Sequence, residues 1–185
     1  MAIVAFDTET NGLNDPIRLV ELGAVLIDDE GIERAAISLI IRPDGWTIPE
    51  GAARVHGITT EMACVLGVPL VVAIAALTNL WSVATLRIAH NLEFDEKVIA
   101  TAITSIGRTS TLQWPKAICT KELAAPVLNL PPTERMIAAG YNKPKPPSLK
   151  ECYQHFFKED VPGAHGALAD ARACARVYRT LTNLL

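Results

Sequence analysis

The sequence predicts an α/β domain built on a mixed sheet, and three observations point there. The apolar runs "AIVAF", "LVELGAVLID" and "AAISLIIR" come first and read as strands. The acidic turn "DDEG" joins the second to the third as a hairpin. Beyond residue 69, helical and strand patterns alternate, as in an α/β chain.

Taken in order, the hairpin is followed by "WTIPEGAARVHGITTEM", a loop by its turn punctuation, after which Thr59 or Thr60 is placed to cap a helix. A helix is expected over roughly Pro69 to Leu80, then a buried strand "TLRIA". In "HNLEFDEKVIATAITSIG" the apolar positions Leu92, Phe94, Val98, Ile99, Ala102 and Ile106 follow a helical period. Asn91 suits its N-cap and Gly107 its stop. The stretch from Pro126 to Pro147, with "NLPPTE" and "NKPKPPS", leaves room for little beyond a short helix around Arg135, and reads as a loop over one face. "SLKECYQHFF" and "ALADARACARVYRTLTNLL" close the chain as helices.

At 185 residues, half of them hydrophobic and a fifth charged, the chain is expected to form one soluble domain spanning 1–185. Cys64, Cys119, Cys152 and Cys174 form no C-x-x-C pair. Cys152 and His155 could be half of a metal site, but no second half is evident, and reduced cysteines in a cytoplasmic protein are the simpler reading. No signal peptide is expected before the first strand. Nothing between Glu61 and Arg87 is charged, and roughly 20 apolar residues can cross a bilayer. Pro69, Asn79 and Ser82 interrupt that run, which splits into a helix and a strand, so it is read as core and no membrane contact is expected.

The net charge of −3 hides an asymmetry. Residues 1–107 carry 6 basic and 14 acidic side chains, whereas residues 108–158 carry 8 basic and 3 acidic. A basic section beside an acidic one can guide a polyanion towards a metal-loaded site.

The acids repay closer reading. In "AFDTETNGL", Asp7 and Glu9 lie two apart at the end of an apolar strand, so they share a face and repel each other. A proton, a basic partner or a metal ion must offset that repulsion. Asp95 lies in the opening turns of the helix after "TLRIA", and Asp170 near the start of the last helix. Singly, Asp95 could serve the helix dipole and Asp170 could pair with Arg172. Together, four acids at strand ends and helix starts read as a carboxylate cluster for a hard divalent cation, magnesium or manganese.

His165 needs its own argument. On a continuous helix it would point about 140° away from Asp170 at 3.6 residues per turn. Gly163 and Gly166 place it instead on a loop leading into the helix, where it can approach an attacking water and leave again. An ordinary imidazole, with a pKa of about 6.5, suits a general base.

The stretches "FDTETNGL", "HNLEFD" and "HGALAD" resemble, in order, the three motifs of the DEDDh 3′–5′ exonucleases. That family includes the proofreading epsilon subunit of bacterial DNA polymerase III, RNase T and oligoribonuclease. "VHGIT" at 55–59 resembles a further family segment. The resemblance implies a ribonuclease-H-like mixed five-stranded sheet flanked by helices. It also implies phosphodiester hydrolysis from the 3′ end of DNA or RNA with two divalent ions, Mg2+ or Mn2+, releasing nucleoside 5′-monophosphates.

On that resemblance, Asp7, Glu9 and Asp170 would hold one ion, Asp7 and Asp95 the second, and His165 would take the proton from the attacking water. Thr10, Leu13 and Asn91 would meet the terminal nucleotide of a single strand, while His56 would hold the loop around it. The lysines at 143, 145 and 150 in the proline-rich stretch are candidates for a phosphate clamp. A polymerase or replication partner would be a separate chain.

Two alternatives belong to other classes: a non-catalytic or weakly catalytic nucleic-acid-binding module of a replication complex, and a hydrolase of nucleotides or short oligonucleotides. A pure binding module needs neither the four acids nor the histidine, and all five are present.

Overall fold

The computed structural model describes residues 1–109 and 114–184. Five strands form one sheet: β1 (Ile3–Thr10), β2 (Leu19–Ile27), β3 (Glu33–Ile40), β4 (Leu86–Ala89) and β5 (Lys116–Cys119). Their order is β3-β2-β1-β4-β5. The β1–β2 and β2–β3 pairs are antiparallel, and β4 and β5 add in parallel, giving the expected mixed sheet.

Helices cover both faces. They are α1 (Glu50–His56), α2 (Thr60–Leu66), α3 (Leu70–Val83), α4 (Leu92–Ser105), α5 (Thr120–Leu128), α6 (Glu134–Ala138), α7 (Leu149–Phe157) and α8 (Ala167–Leu184). Val4 and Phe6 of β1, with Leu22 and Ala24 of β2, pack beneath α3 and α4. The alternate residues Ile3, Ala5, Val25 and Ile27 pack against α8. A third cluster joins α8 to α5 and α7 through Ala124, Cys152, Tyr153, Val177 and Leu181. Because β1 is covered on both sides, it reads as an unbroken apolar run rather than an alternating one.

Several elements differ from the sequence reading. The segment read as a loop contains α1, a helix with no buried residue, so no apolar period marks it. Its bounds are nonetheless written locally, with Pro49 at its start and Gly57 at its end in the left-handed region at φ 77°. Thr59 caps α2, its side chain accepting the Met62 amide at 3.2 Å. The helix expected at 69–80 is α3, which runs on to Val83. The short β5 and the helix α5 were not anticipated, and Pro126 lies inside the end of α5 rather than opening a loop.

Asn91 is not the side-chain cap expected of it. It adopts a left-handed conformation at φ 83° and makes no capping bond. The short helix at Arg135 is present as α6. In the proline-rich stretch, Lys145 is engaged by Glu151 of α7 rather than held out as a clamp, and Glu151 closes a capping box with Ser148. The closing helix is α8, and Leu185 lies outside the described residues. Among the described residues, no helix is long and apolar enough to cross a membrane.

Candidate active site

The site lies where β1 ends and where α4 and α8 begin. Asp7 and Glu9 belong to the same side-chain row of β1 as Ile3 and Ala5, and therefore face α8. The register sets Asp7 opposite Gly23 and Glu9 opposite Glu21 on β2. Gly23 matters here because a Cβ would lie 2.1 Å from the Ala167 carbonyl carbon. Only a glycine lets the start of α8 come down onto the strand. Asp170, in the first turn of α8, is thereby delivered to the β1 acids.

Carboxylate oxygens of Asp7, Glu9 and Asp170 all lie within 4.8 Å of one another. Burial is the largest influence on each and pushes its pKa up. Mutual repulsion adds to this, and Glu9 is pushed up to about 8. No basic side chain figures among the influences on Asp7 or Glu9. Of the three ways to offset the repulsion, a basic partner is therefore absent among the described residues, leaving a proton or a cation. A set of close oxygen donors of this kind fits a hard divalent ion.

Asp95 reaches the cluster from the opposite face. Thr8, between the two β1 acids, points the other way and donates its hydroxyl to Asp95 Oδ1 at 2.7 Å. Burial raises the Asp95 carboxyl to about 7 against the opposing pull of hydrogen bonds from Thr8. Its charge is in turn the largest electrostatic influence raising Asp7. Asp95 thus adjoins Asp7 but stands apart from the tight trio.

His165 sits off the helix at φ 68°, as the glycine-flanked loop reading requires. Its backbone N–H and ring charge lower the Asp170 pKa, partly opposing burial. His165 and Asp170 share a cavity of about 280 Å3 with Ser148, Lys150, Asp160 and Val161. Asp170 does not pair with Arg172, whose guanidinium is instead bidentate to Glu33 at 2.7 and 2.9 Å.

The expected substrate contacts are spread around the rim. Thr10 is buried and turns its hydroxyl to the Gly12 carbonyl at 3.0 Å. Leu13, 78% exposed, crowns the loop that Asn11 closes against Arg18. The Asn91 side chain accepts a hydrogen bond from Lys121. His56 Nδ1 accepts the Ile58 amide at 3.1 Å, which holds its own loop.

Sequence reasoning missed Thr8, Glu21, His90 and Lys121. Glu21 carried the same signal as Asp7, an acid in an apolar strand. Its two carboxylate oxygens accept the Ser38 hydroxyl at 2.9 Å and the Ala167 amide at 3.0 Å. His90 bridges the Thr120 hydroxyl and the Pro147 carbonyl, each at 3.0 Å. Burial pushes its pKa down to about 4, so it is neutral and donates to the carbonyl.

Residues 4–178 match the RNase_T exonuclease family. A sequence comparison with curated proteins found no match. Among solved structures, Escherichia coli exonuclease I in complex with a dT13 oligonucleotide has a TM-score of 0.79 at 18% identity, over 98% of this chain and 41% of that one. A moderately thermophilic exonuclease I from Methylocaldum szegediense gives 0.77 at 21% identity, over 98% and 40%. The zinc-ion-bound form of the E. coli exonuclease I complex with single-stranded DNA gives 0.76 at 19%, over 99% and 40%. The chain thus spans about two fifths of the length of these proteins, and at such identities the likeness speaks for the fold. With the family match running from the first strand into the last helix, the chain belongs to the RNase_T exonuclease family, the DEDDh 3′–5′ exonucleases.

Proposed function

We propose that residues 1–185 act as a single catalytic domain that hydrolyses the 3′-terminal phosphodiester of single-stranded DNA or RNA and releases nucleoside 5′-monophosphates. The observation that carries this reading is the convergence of Asp7 and Glu9 of β1 with Asp170 of α8, two stretches of chain far apart in sequence, to within 4.8 Å, with no basic side chain influencing Asp7 or Glu9. Mg2+ or Mn2+, bound there as a pair, would supply the Lewis acidity that activates water and stabilises the leaving oxygen.

The chain's own residues do the rest. Asp7, Glu9 and Asp170 would hold one ion, and Asp95 would join Asp7 in holding the second. Thr8 keeps the Asp95 carboxylate aimed by its 2.7 Å hydrogen bond. His165 takes a proton from the attacking water at its ring nitrogen; its loop position beside Asp170 supports that role. The Thr10 backbone, the exposed Leu13 and Asn91 receive the terminal nucleotide. The structural relatives' complexes with dT13 and with single-stranded DNA favour a single-stranded substrate over short nucleotides alone.

Digestion of matched 5′-labelled single- and double-stranded DNA and RNA, resolved at single-nucleotide steps, tests the reading. A ladder shortening from the 3′ end, abolished by EDTA and restored by Mg2+ or Mn2+, is expected. Metal-independent cleavage, or products longer than mononucleotides, would overturn it.

A further inference from the structure

We infer that Lys121 is a positioning residue that binds a backbone phosphate of the substrate strand beside the carboxylate cluster; this rests on the exonuclease reading and extends it. The last backbone pair between β4 and β5 is Ala89 with Cys119. Side chains carry the pairing two steps further: His90 meets Thr120 at 3.0 Å, and Lys121 donates its ammonium to Asn91 Oδ1. Asn91 lies four residues, about one helical turn, before Asp95. Lys121 is thus held at the edge of the site by its neighbour, at the end of the sheet where the acids gather.

Its surroundings do not favour a cation. Lys121 lies in the first turn of α5, where the helix dipole is positive. Neither α5 nor α4 has a side-chain cap at its start, and in α4 the Phe94 amide turns to the Asn91 carbonyl. Among the described residues Lys121 forms no ion pair with a carboxylate, in contrast to Lys145 and Lys150. Glu93 and Glu122, in the same two first turns, are exposed, and Asp95 Oδ1 accepts the Thr8 hydroxyl. An ammonium and two positive helix ends at one edge leave an anion as the missing partner. The anion delivered to this edge is the phosphate of the strand being degraded. The neutral His90, fixed between Thr120 and the Pro147 carbonyl, anchors the residue before Asn91 and so the whole edge.

The experiment compares Lys121→Met and Lys121→Arg on two substrates. One is a thymidine oligonucleotide; the other is the p-nitrophenyl ester of thymidine 5′-monophosphate, which has a single phosphate and none upstream. Lys121→Met is expected to lose about tenfold more kcat/KM on the oligonucleotide than on the ester. Its plot of log kcat/KM against log salt should flatten by about 0.7, the change for one lost contact on a single strand. Lys121→Arg should recover most of the loss. Equal losses on both substrates, or an unchanged salt slope, would overturn the inference. Should Lys121→Met lose its melting transition, Lys121→Gln is read in its place. Failure of the exonuclease reading is distinct: the unmodified protein would then degrade neither substrate.

Discussion

Glu21 accepts the backbone N–H of Ala167 at 3.0 Å, tying the second strand to the first residue of the helix that carries Asp170. A second edge of the same carboxylate takes the Ser38 hydroxyl from the third strand at 2.9 Å. One buried acid therefore fixes where the last helix starts relative to the sheet. It does so directly across the strand pair from Glu9. Placing a further negative charge beside three carboxylates raises their pKa values, so the anchor is electrostatically costly. The cost is consistent with a site built to receive cations.

Replacing Glu21 by alanine leaves a buried amide and a hydroxyl without their partner. Unfolding stability should fall by about 1–3 kcal/mol. Activity should fall further than stability explains, because Asp170 rides on the released helix end. Glu21→Gln keeps an acceptor in place and should lie between the two. Gly23→Ala, which forces a Cβ onto the Ala167 backbone, should be more damaging than Glu21→Ala. Thermal melting beside 3′-end digestion measures all three.

Asp7→Asn separates the site's chemistry from its stability. In the metal-free protein Asp7 is buried among acids, and every influence on its pKa raises it. Replacing this buried carboxyl, crowded by other acids, with a neutral amide should stabilise the metal-free fold, seen as a rise in Tm of a few degrees. The same variant should release no mononucleotides. A variant that melts lower and still cleaves would contradict both roles.

Much of this was legible in the residues. β1 to β4, α3, α4, α7 and α8 announce themselves because long apolar periods or strong caps encode them locally. The four acids stood out in the sequence because charge in or beside an apolar element has few other uses, and His165 stood out through its flanking glycines. What escaped was encoded in three dimensions. α1 has no buried face, and β5 is four residues long with no fully buried side chain, so neither leaves a pattern. Asn91 looked like a cap by type and position, but its amide is taken up by Lys121, thirty residues away in the chain. Thr8 was hidden between two louder neighbours, and only the alternation of strand faces shows that it serves Asp95.

The raised carboxylates set a pH dependence whose sign can be worked out. Glu9 at about 8 and Asp95 at about 7 bind protons more tightly folded than unfolded, where such groups titrate near 4. Between about pH 4 and pH 8 the folded metal-free protein holds more protons, so its stability falls as pH rises through that window. Differential scanning calorimetry in EDTA should show Tm dropping from pH 5 to pH 8. Added Mg2+ or Mn2+ should raise Tm, and by more at pH 8 than at pH 6, since protons and cations compete for the same oxygens. A metal-induced shift independent of pH would argue that the ions bind elsewhere.

His165 offers a test in which fold and chemistry move in opposite directions. It holds φ at 68°, a conformation that a non-glycine residue adopts at a local cost. Glycine is free of that cost, so His165→Gly should melt at or above the temperature of the unmodified protein, while His165→Ala should not gain. Both variants lose the imidazole and with it the proposed base. Both should lower kcat by about 10²- to 10⁴-fold, the usual contribution of a positioned general base, with a much smaller change in KM. If the histidine only shaped its loop, glycine would restore turnover along with stability. Retained activity in His165→Gly, measured on a 5′-labelled single strand, would remove His165 from the proton transfer.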